Sequence, residues 1–144
     1  MKTRDKISAS VLYQLFLRPF TPEGTLSAAA GLLEHIRSLG VDVVYLCPVF
    51  QQDDDPRTEY WSDRQIKSGL KNPKNPYRIQ DYFHVDPEYG TDGDLGDFIE
   101  RAHRLGLRVI LDLVYYHCGP TAVFLEQHPD FIKRDANGTV HYGS

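Results

Sequence analysis

The apolar positions of this chain follow one plan, repeated. Val11-Leu-Tyr-Gln-Leu-Phe16 is a short, mostly apolar run, which predicts a strand buried on both faces. Thr21-Pro-Glu-Gly24 has turn chemistry. Leu26, Ala29, Ala30, Leu33 and Ile36 then recur at helical spacing and predict a helix, with Gly40 standing where a helix end takes a left-handed residue. Residues 41–46 follow as a second apolar strand, ended by Cys47-Pro48. Further on, Leu95, Phe98, Ile99, Ala102 and Leu105 keep the same helical spacing, Gly106 closes the helix, and residues 107–114 form a third strand. Thr91 and Asp94 are spaced to cap that helix, each able to bond a backbone N–H of its first turn. The order β-α-β-loop-α-β implies an α/β fold with parallel strands joined by right-handed crossovers.

Between Cys47 and Gly90 no period is convincing, so the stretch reads as a long loop. Loops longer than about 15 residues without structure of their own are uncommon in compact domains and usually functional. This one leaves the C-terminal end of a strand, where α/β folds place their sites. Residues 115–144 are again loop-like, with a short helix expected between Thr121 and Gln127 and a turn at Asn137-Gly138.

Composition narrows the classes. With 144 residues, 41% hydrophobic and 25% charged, the chain reads as one globular domain and not as a disordered segment. A net charge of −4 and a pI near 5.8 argue against a nucleic-acid or anionic-membrane surface. No run approaches the roughly 20 apolar residues of a membrane span. Lys2, Arg4 and Lys6 imitate a charged leader, but Gln14 interrupts the apolar run and Arg18-Pro19-Phe20 stands where a cleavage site belongs. A cytoplasmic protein is therefore expected. Cys47 and Cys118 lie far apart, outside any CxxC pair, and are expected as free thiols with no zinc or redox role.

Nucleotide motifs are absent: neither GxGxxG nor GxxxxGK[ST] occurs. Asp92, Asp94 and Asp97 lack the glycine and terminal glutamate of a calcium loop, and helix capping explains them better. Asn137-Gly138-Thr139 is a formal glycosylation sequon, expected to be inert without a leader. Asp112-Leu-Val-Tyr-Tyr-His117 sets an acid near the end of an apolar strand and a histidine just beyond it. Spacing alone leaves a structural and a functional reading of that pair equally open. The segment from Asn75 to Thr91 is dense in Tyr and Asp, a combination that suits sugar rings: aromatic faces stack on C–H faces and carboxylates accept hydroxyl protons. Simple loop packing by the tyrosines is the competing reading.

Taken together, these segments resemble the N-terminal part of the α-amylase family of glycoside hydrolases. Asp112-Leu-Val-Tyr-Tyr-His117 is similar to the family's first conserved region, an acid-apolar-Val-x-Asn-His pattern at the end of strand three. Tyr77, Asp81-Tyr82 and Pro87-Glu-Tyr-Gly-Thr91 resemble the loop before the second helix, and His117-Cys118-Gly119 is similar to the neopullulanase and cyclomaltodextrinase branch. The resemblance implies an eight-stranded parallel β/α barrel and retaining chemistry at α-glucosidic bonds. Residues 1–144 would then be the N-terminal portion of the barrel domain, an incomplete barrel with the first three β/α units, and 115–144 would begin the long loop after strand three. By position, Tyr77 resembles the aromatic that stacks on the sugar at the cleavage subsite, His117 the histidine that hydrogen-bonds it, and Asp112 the supporting acid. The family's catalytic carboxylates belong to strands four, five and seven, so no catalytic residue is expected in this chain. Many relatives ligate calcium through an Asn where this sequence has Tyr116, so neither a metal nor a cofactor is expected. The implied partner is an α-glucan oligosaccharide or polysaccharide, and the implied function is that of a hydrolase fragment. The alternative is a non-catalytic amylase-like scaffold used for binding or partnering.

Overall fold

The computed structural model describes residues 9–140. The leader-like Lys2, Arg4 and Lys6 lie outside the described residues. In chain order the elements are β1 (Leu12–Leu15), α1 (Leu17–Phe20), α2 (Leu26–Ala30), α3 (Leu33–Ser38), β2 (Val43–Leu46), β3 (Phe50–Gln52), α4 (Asp63–Lys67), β4 (Ile79–Val85), α5 (Asp92–Arg104), β5 (Arg108–Leu111) and α6 (Phe124–Gln127). They form two compact units. One runs to Val49 and takes in His84–Leu113; the other comprises Phe50–Phe83 and the chain from Val114 onward.

In the first unit the parallel sheet has the order β1-β2-β5. Its register aligns Leu15, Leu46 and Leu111, with Tyr13, Val44 and Val109 two residues earlier on the same face. That face packs on Leu26, Ala29, Leu33 and Ile36 of α2 and α3 and on Phe98 and Ala102 of α5. Each fully buried Leu, Ile or Phe contributes about 1.5–3 kcal/mol of transfer free energy. The opposite face is not covered in the same way. Leu12 is 51% exposed and Ile110 45% exposed, so β1 and β5 alternate, and β1 is not buried on both faces as its apolar run predicted. The helices cover one face only, and strand periodicity of two divides each run between the faces.

The helix predicted over positions 26–36 is two helices. Gly31 N donates to Ala28 O and Leu32 N to Ala29 O, a tighter i to i−3 pattern that breaks the ladder at the residue with the weakest helix propensity of the segment. Leu33 and Ile36 still face the core. The chain then reverses into β2 at Gly40 (φ +84°) and into β5 at Gly106 (φ +73°), the left-handed helix ends that the sequence predicted. At α5 the capping box is complete: Thr91 Oγ1 accepts from Asp94 N at 3.1 Å, and Asp94 accepts from Thr91 N at 2.8 Å. Asp92 in the same first turn accepts from Val85 N at 2.7 Å, a favourable place for a negative charge. β5 is shorter than predicted because its partner ends: Leu111 pairs with Leu46, and Asp112 N makes the last bond to Leu46 O at 2.9 Å.

The second unit corrects the reading of residues 47–90 as one loop. It holds the two-stranded β3-β4 ribbon, a 3-10 turn at Thr58–Tyr60 and the Ser62-capped α4. β4 escaped notice because Ile-Gln-Asp-Tyr-Phe-His-Val buries only its two ends and shows no apolar alternation. Gly119 N and Val123 N donate to Ile79 O and Gln80 O at 2.6 and 3.0 Å, so the segment before α6 lies along β4. The turn at Asn137-Gly138 forms, with Gly138 N bonded to Asp135 O and an antiparallel bridge between Arg134 and Val140. Among the described residues no helix is long and apolar enough to cross a membrane.

Candidate functional site

Asn75 and Pro76 build the turn that presents Tyr77. Asn75 Oδ1 accepts from Tyr77 N at 3.0 Å, and Asn75 O accepts from Arg78 N at 2.8 Å. Pro76 is buried, whereas Tyr77 is 41% exposed. His117 ends an exposed loop that also carries Tyr115 and Tyr116. The loop is held from β4: the Tyr82 hydroxyl lies 2.7 Å from Val114 O and 2.9 Å from His117 O, sharing its one proton between two carbonyls. Burial pushes the Tyr82 phenol up to about 12, so it remains a donor at any ordinary pH. Its ring stacks on Phe124 at 5.3 Å between centroids.

The structure brings Tyr77 and His117 together. His117 Nε2 is 2.8 Å from Tyr77 O. A carbonyl only accepts, so Nε2 carries the proton, and a neutral ring then offers Nδ1 as an acceptor. Asp112 belongs to the other unit, at the end of β5. It is half-buried and accepts a hydrogen bond from the Tyr45 hydroxyl, which holds the phenol above its ordinary range. The strand end leaves it partly exposed, with the Tyr45 hydroxyl as a partner. Tyr116 is 99% exposed, and among the described residues no group of three or more His, Cys, Asp or Glu side chains could hold a metal ion.

Sequence reasoning passed over the polar cluster beneath this site. Asp53 is fully buried and Arg78 nearly so, 3.0 Å apart. Arg78 Nη2 also donates to Asp55 O at 2.9 Å, and Nη1 to Tyr60 O at 3.3 Å. Asp53 accepts further from Asp55 N at 2.9 Å and from Thr121 N and Oγ1 at 2.7 and 2.8 Å. Arg78 and Thr121 are 25 and 68 residues away from it, and a run of three aspartates before a proline looks like any solvated turn. Next to it, the Arg57 guanidinium bonds the Asp55 carboxylate, and Arg57 N adds a backbone bond, holding that carboxyl at about 2. A depressed carboxylate stabilises the fold while ionised. Its contribution is complete above the ordinary value of 3.8 and is lost as pH falls toward 2. Trp61, whose indole N–H reaches Asp55 O, is the chain's one tryptophan and reports on this corner. Its fluorescence should change across that acid range, and Asp55→Asn should flatten the transition. An unchanged acid limb in the variant would refute the assignment.

Comparison with known proteins places the chain. It is 34% identical over 134 residues to a malto-oligosyltrehalose trehalohydrolase of Rhizobium sp. (strain M-11), covering 93% of this chain and 20% of that protein. It is 32% identical over 113 residues to an oligo-1,6-glucosidase of Bacillus sp. (strain F5), covering 75% of this chain and 19% of that one. Among solved structures, an alpha-amylase from Lactobacillus plantarum superposes with a TM-score of 0.79 at 31% identity, covering 94% of this chain and 29% of the other. The chain thus spans about a fifth of the length of these curated relatives. Its parallel sheet and helices are part of a TIM-barrel fold of mixed α/β class. The alpha-amylase catalytic-domain model matches residues 4–137, and the chain belongs to that family of glycoside hydrolases.

Proposed function

We propose that these residues form the first three β/α units of the barrel of a retaining, α-glucan-active glycoside hydrolase, with β1, β2 and β5 as barrel strands one to three. In this reading they carry part of the substrate subsite and none of the catalytic carboxylates, and the residues from 115 onward begin the loop after strand three. The observation that carries it is the 2.8 Å bond between His117 Nε2 and Tyr77 O, which joins two groups 40 residues apart in one place. Tyr77 offers an aromatic face to the C–H face of a glucose ring, and His117 offers Nδ1 to a sugar hydroxyl. Asp112, in the other unit, keeps the role of supporting acid that the resemblance implies. The nucleophile and the general acid come from residues beyond these 144.

Retaining hydrolysis passes through an oxocarbenium-like transition state in which the reacting sugar flattens. A ring stacked against that sugar and a fixed acceptor at its rim act on its geometry, so they lower the barrier as well as hold substrate. In the complete protein, Tyr77→Ala should therefore lower kcat/KM on maltotriose by about 10- to 100-fold, with a clear part of the loss in kcat. A change confined to KM would argue against placement at the reacting sugar. A complete protein that binds maltoheptaose through Tyr77 but never turns it over would be the binding scaffold instead.

A further inference from the structure

We infer that Asp53 is a positioning residue for the Tyr77–His117 pair, its buried carboxylate tying the segment that bears one to the segment that bears the other. The inference rests on the subsite reading above. One oxygen, Oδ1, holds the Tyr77 side: it accepts from Arg78 Nη2 at 3.0 Å, and Arg78 is the next residue after Tyr77. The other, Oδ2, holds the His117 side: it accepts from Thr121 N and Thr121 Oγ1, four residues after His117. The approach is close. A Cβ at Gly119 would collide with the Asp53 side chain, so that stretch reaches the carboxylate only because position 119 has none. Gly119 N then bonds Ile79 O, closing the loop onto β4 two residues after Tyr77.

Joining two loops does not require a carboxylate. Apolar packing would do so without desolvating charge, and a buried ion pair is often no more stable than its hydrophobic replacement. A carboxylate with its oxygens aimed at two different segments supplies directed bonds from both. It thereby fixes how the two segments stand to each other, the condition for preorganising a ring and an imidazole around one sugar. Asp53 has no exposed surface, so it acts through Arg78 and Thr121 and does not touch substrate.

The chemistry of substitution is specific. In Asp53→Asn one oxygen becomes an NH2, which must face either Arg78 and Asp55 N or the two Thr121 donors; either way donor meets donor and one segment is released. Thr121→Val removes the hydroxyl, which donates to Asp53 and accepts from Gln80 Nε2, and keeps the backbone bond. In the complete protein acting on maltotriose, Asp53→Asn should lower kcat/KM by about 10- to 100-fold. Thr121→Val should lower it roughly three- to tenfold, the scale of one hydrogen bond. The deciding readout is the double-mutant cycle with Tyr77→Ala: once the ring is gone, Asp53→Asn should cost less than about threefold more. Losses that multiply independently, or a folded Asp53→Asn with parental kcat/KM beside an impaired Tyr77→Ala, would overturn the inference. Parental activity in Tyr77→Ala would strike the subsite reading itself. Should Asp53→Asn fail to fold, the same cycle run with Thr121→Val decides between coupled and independent losses.

Discussion

Replacing Arg78 by Met should lower the unfolding free energy of the unit around Trp61 by about 3–5 kcal/mol, the usual effect of removing one partner of a buried ion pair. The Arg78 side chain is 8% exposed and that of Asp53 is fully buried, so neither charge has water to fall back on. The guanidinium also donates to backbone carbonyls at Asp53, Asp55 and Tyr60, and a thioether replaces none of these bonds. A whole domain is stable by only about 5–15 kcal/mol, so the variant would sit close to unfolding. Lys at 78 should recover part of the loss at most, since a single ammonium lacks the planar fork that spans several acceptors. Urea titration followed by Trp61 fluorescence reads the change. The exposed pair Arg104–Glu100 on α5 is the control: Glu100→Ala should move stability by no more than about 0.5 kcal/mol. An Arg78→Met midpoint as little shifted as that control would show the buried pair to be energetically idle.

What the sequence revealed follows from where each signal is stored. The parallel sheet was legible because its signals are local: Leu39-Gly40-Val41 and Leu105-Gly106-Leu107 each end a helix and open a strand within three residues. The capping box at Thr91 and Asp94 was legible for the same reason. The burial of β1 was misread because an apolar run states that residues are hydrophobic, not how many layers cover them. β4 was hidden because its interior is polar and its partners come from β3 and the segment around Gly119 and Val123. Tyr77 and His117 were singled out through the family resemblance, and no residue pattern could have joined them. The bond runs from an imidazole to a backbone carbonyl, which every residue possesses. Asp53 and Arg78 were the least legible: their pairing across 25 residues exists only once β3 and β4 are in register, and the aspartate run around it mimics a solvated turn.

Starch, maltodextrin or a cyclodextrin incubated with the 144-residue chain alone should release no reducing sugar. Retaining hydrolysis needs two carboxyl groups about 5–5.5 Å apart, one of them protonated at the start of the reaction. The acids held by partners in this chain are occupied otherwise, the fully buried Asp86 by the Glu88 N–H at 2.8 Å. Asp53 uses both oxygens to accept bonds from Arg78, Asp55 and Thr121. Asp55 is held at about 2 by Arg57 and has no proton to give near neutral pH. Asp92 and Asp94 are lowered as caps of α5, the first chiefly by the Val85 N–H and the second by Thr91. Glu88 is bound through both oxygens to Arg18. Asp112 remains as the acid at a strand end, shared with the Tyr45 hydroxyl, and one carboxylate cannot serve as both nucleophile and proton donor. The complete protein, assayed in parallel, should release sugar readily. Turnover by the short chain that vanishes in Tyr77→Ala and survives in Asp112→Asn would show that a carboxylate pair does exist within these residues. It would overturn the division of labour proposed here, in which this chain holds the sugar and later strands cut it.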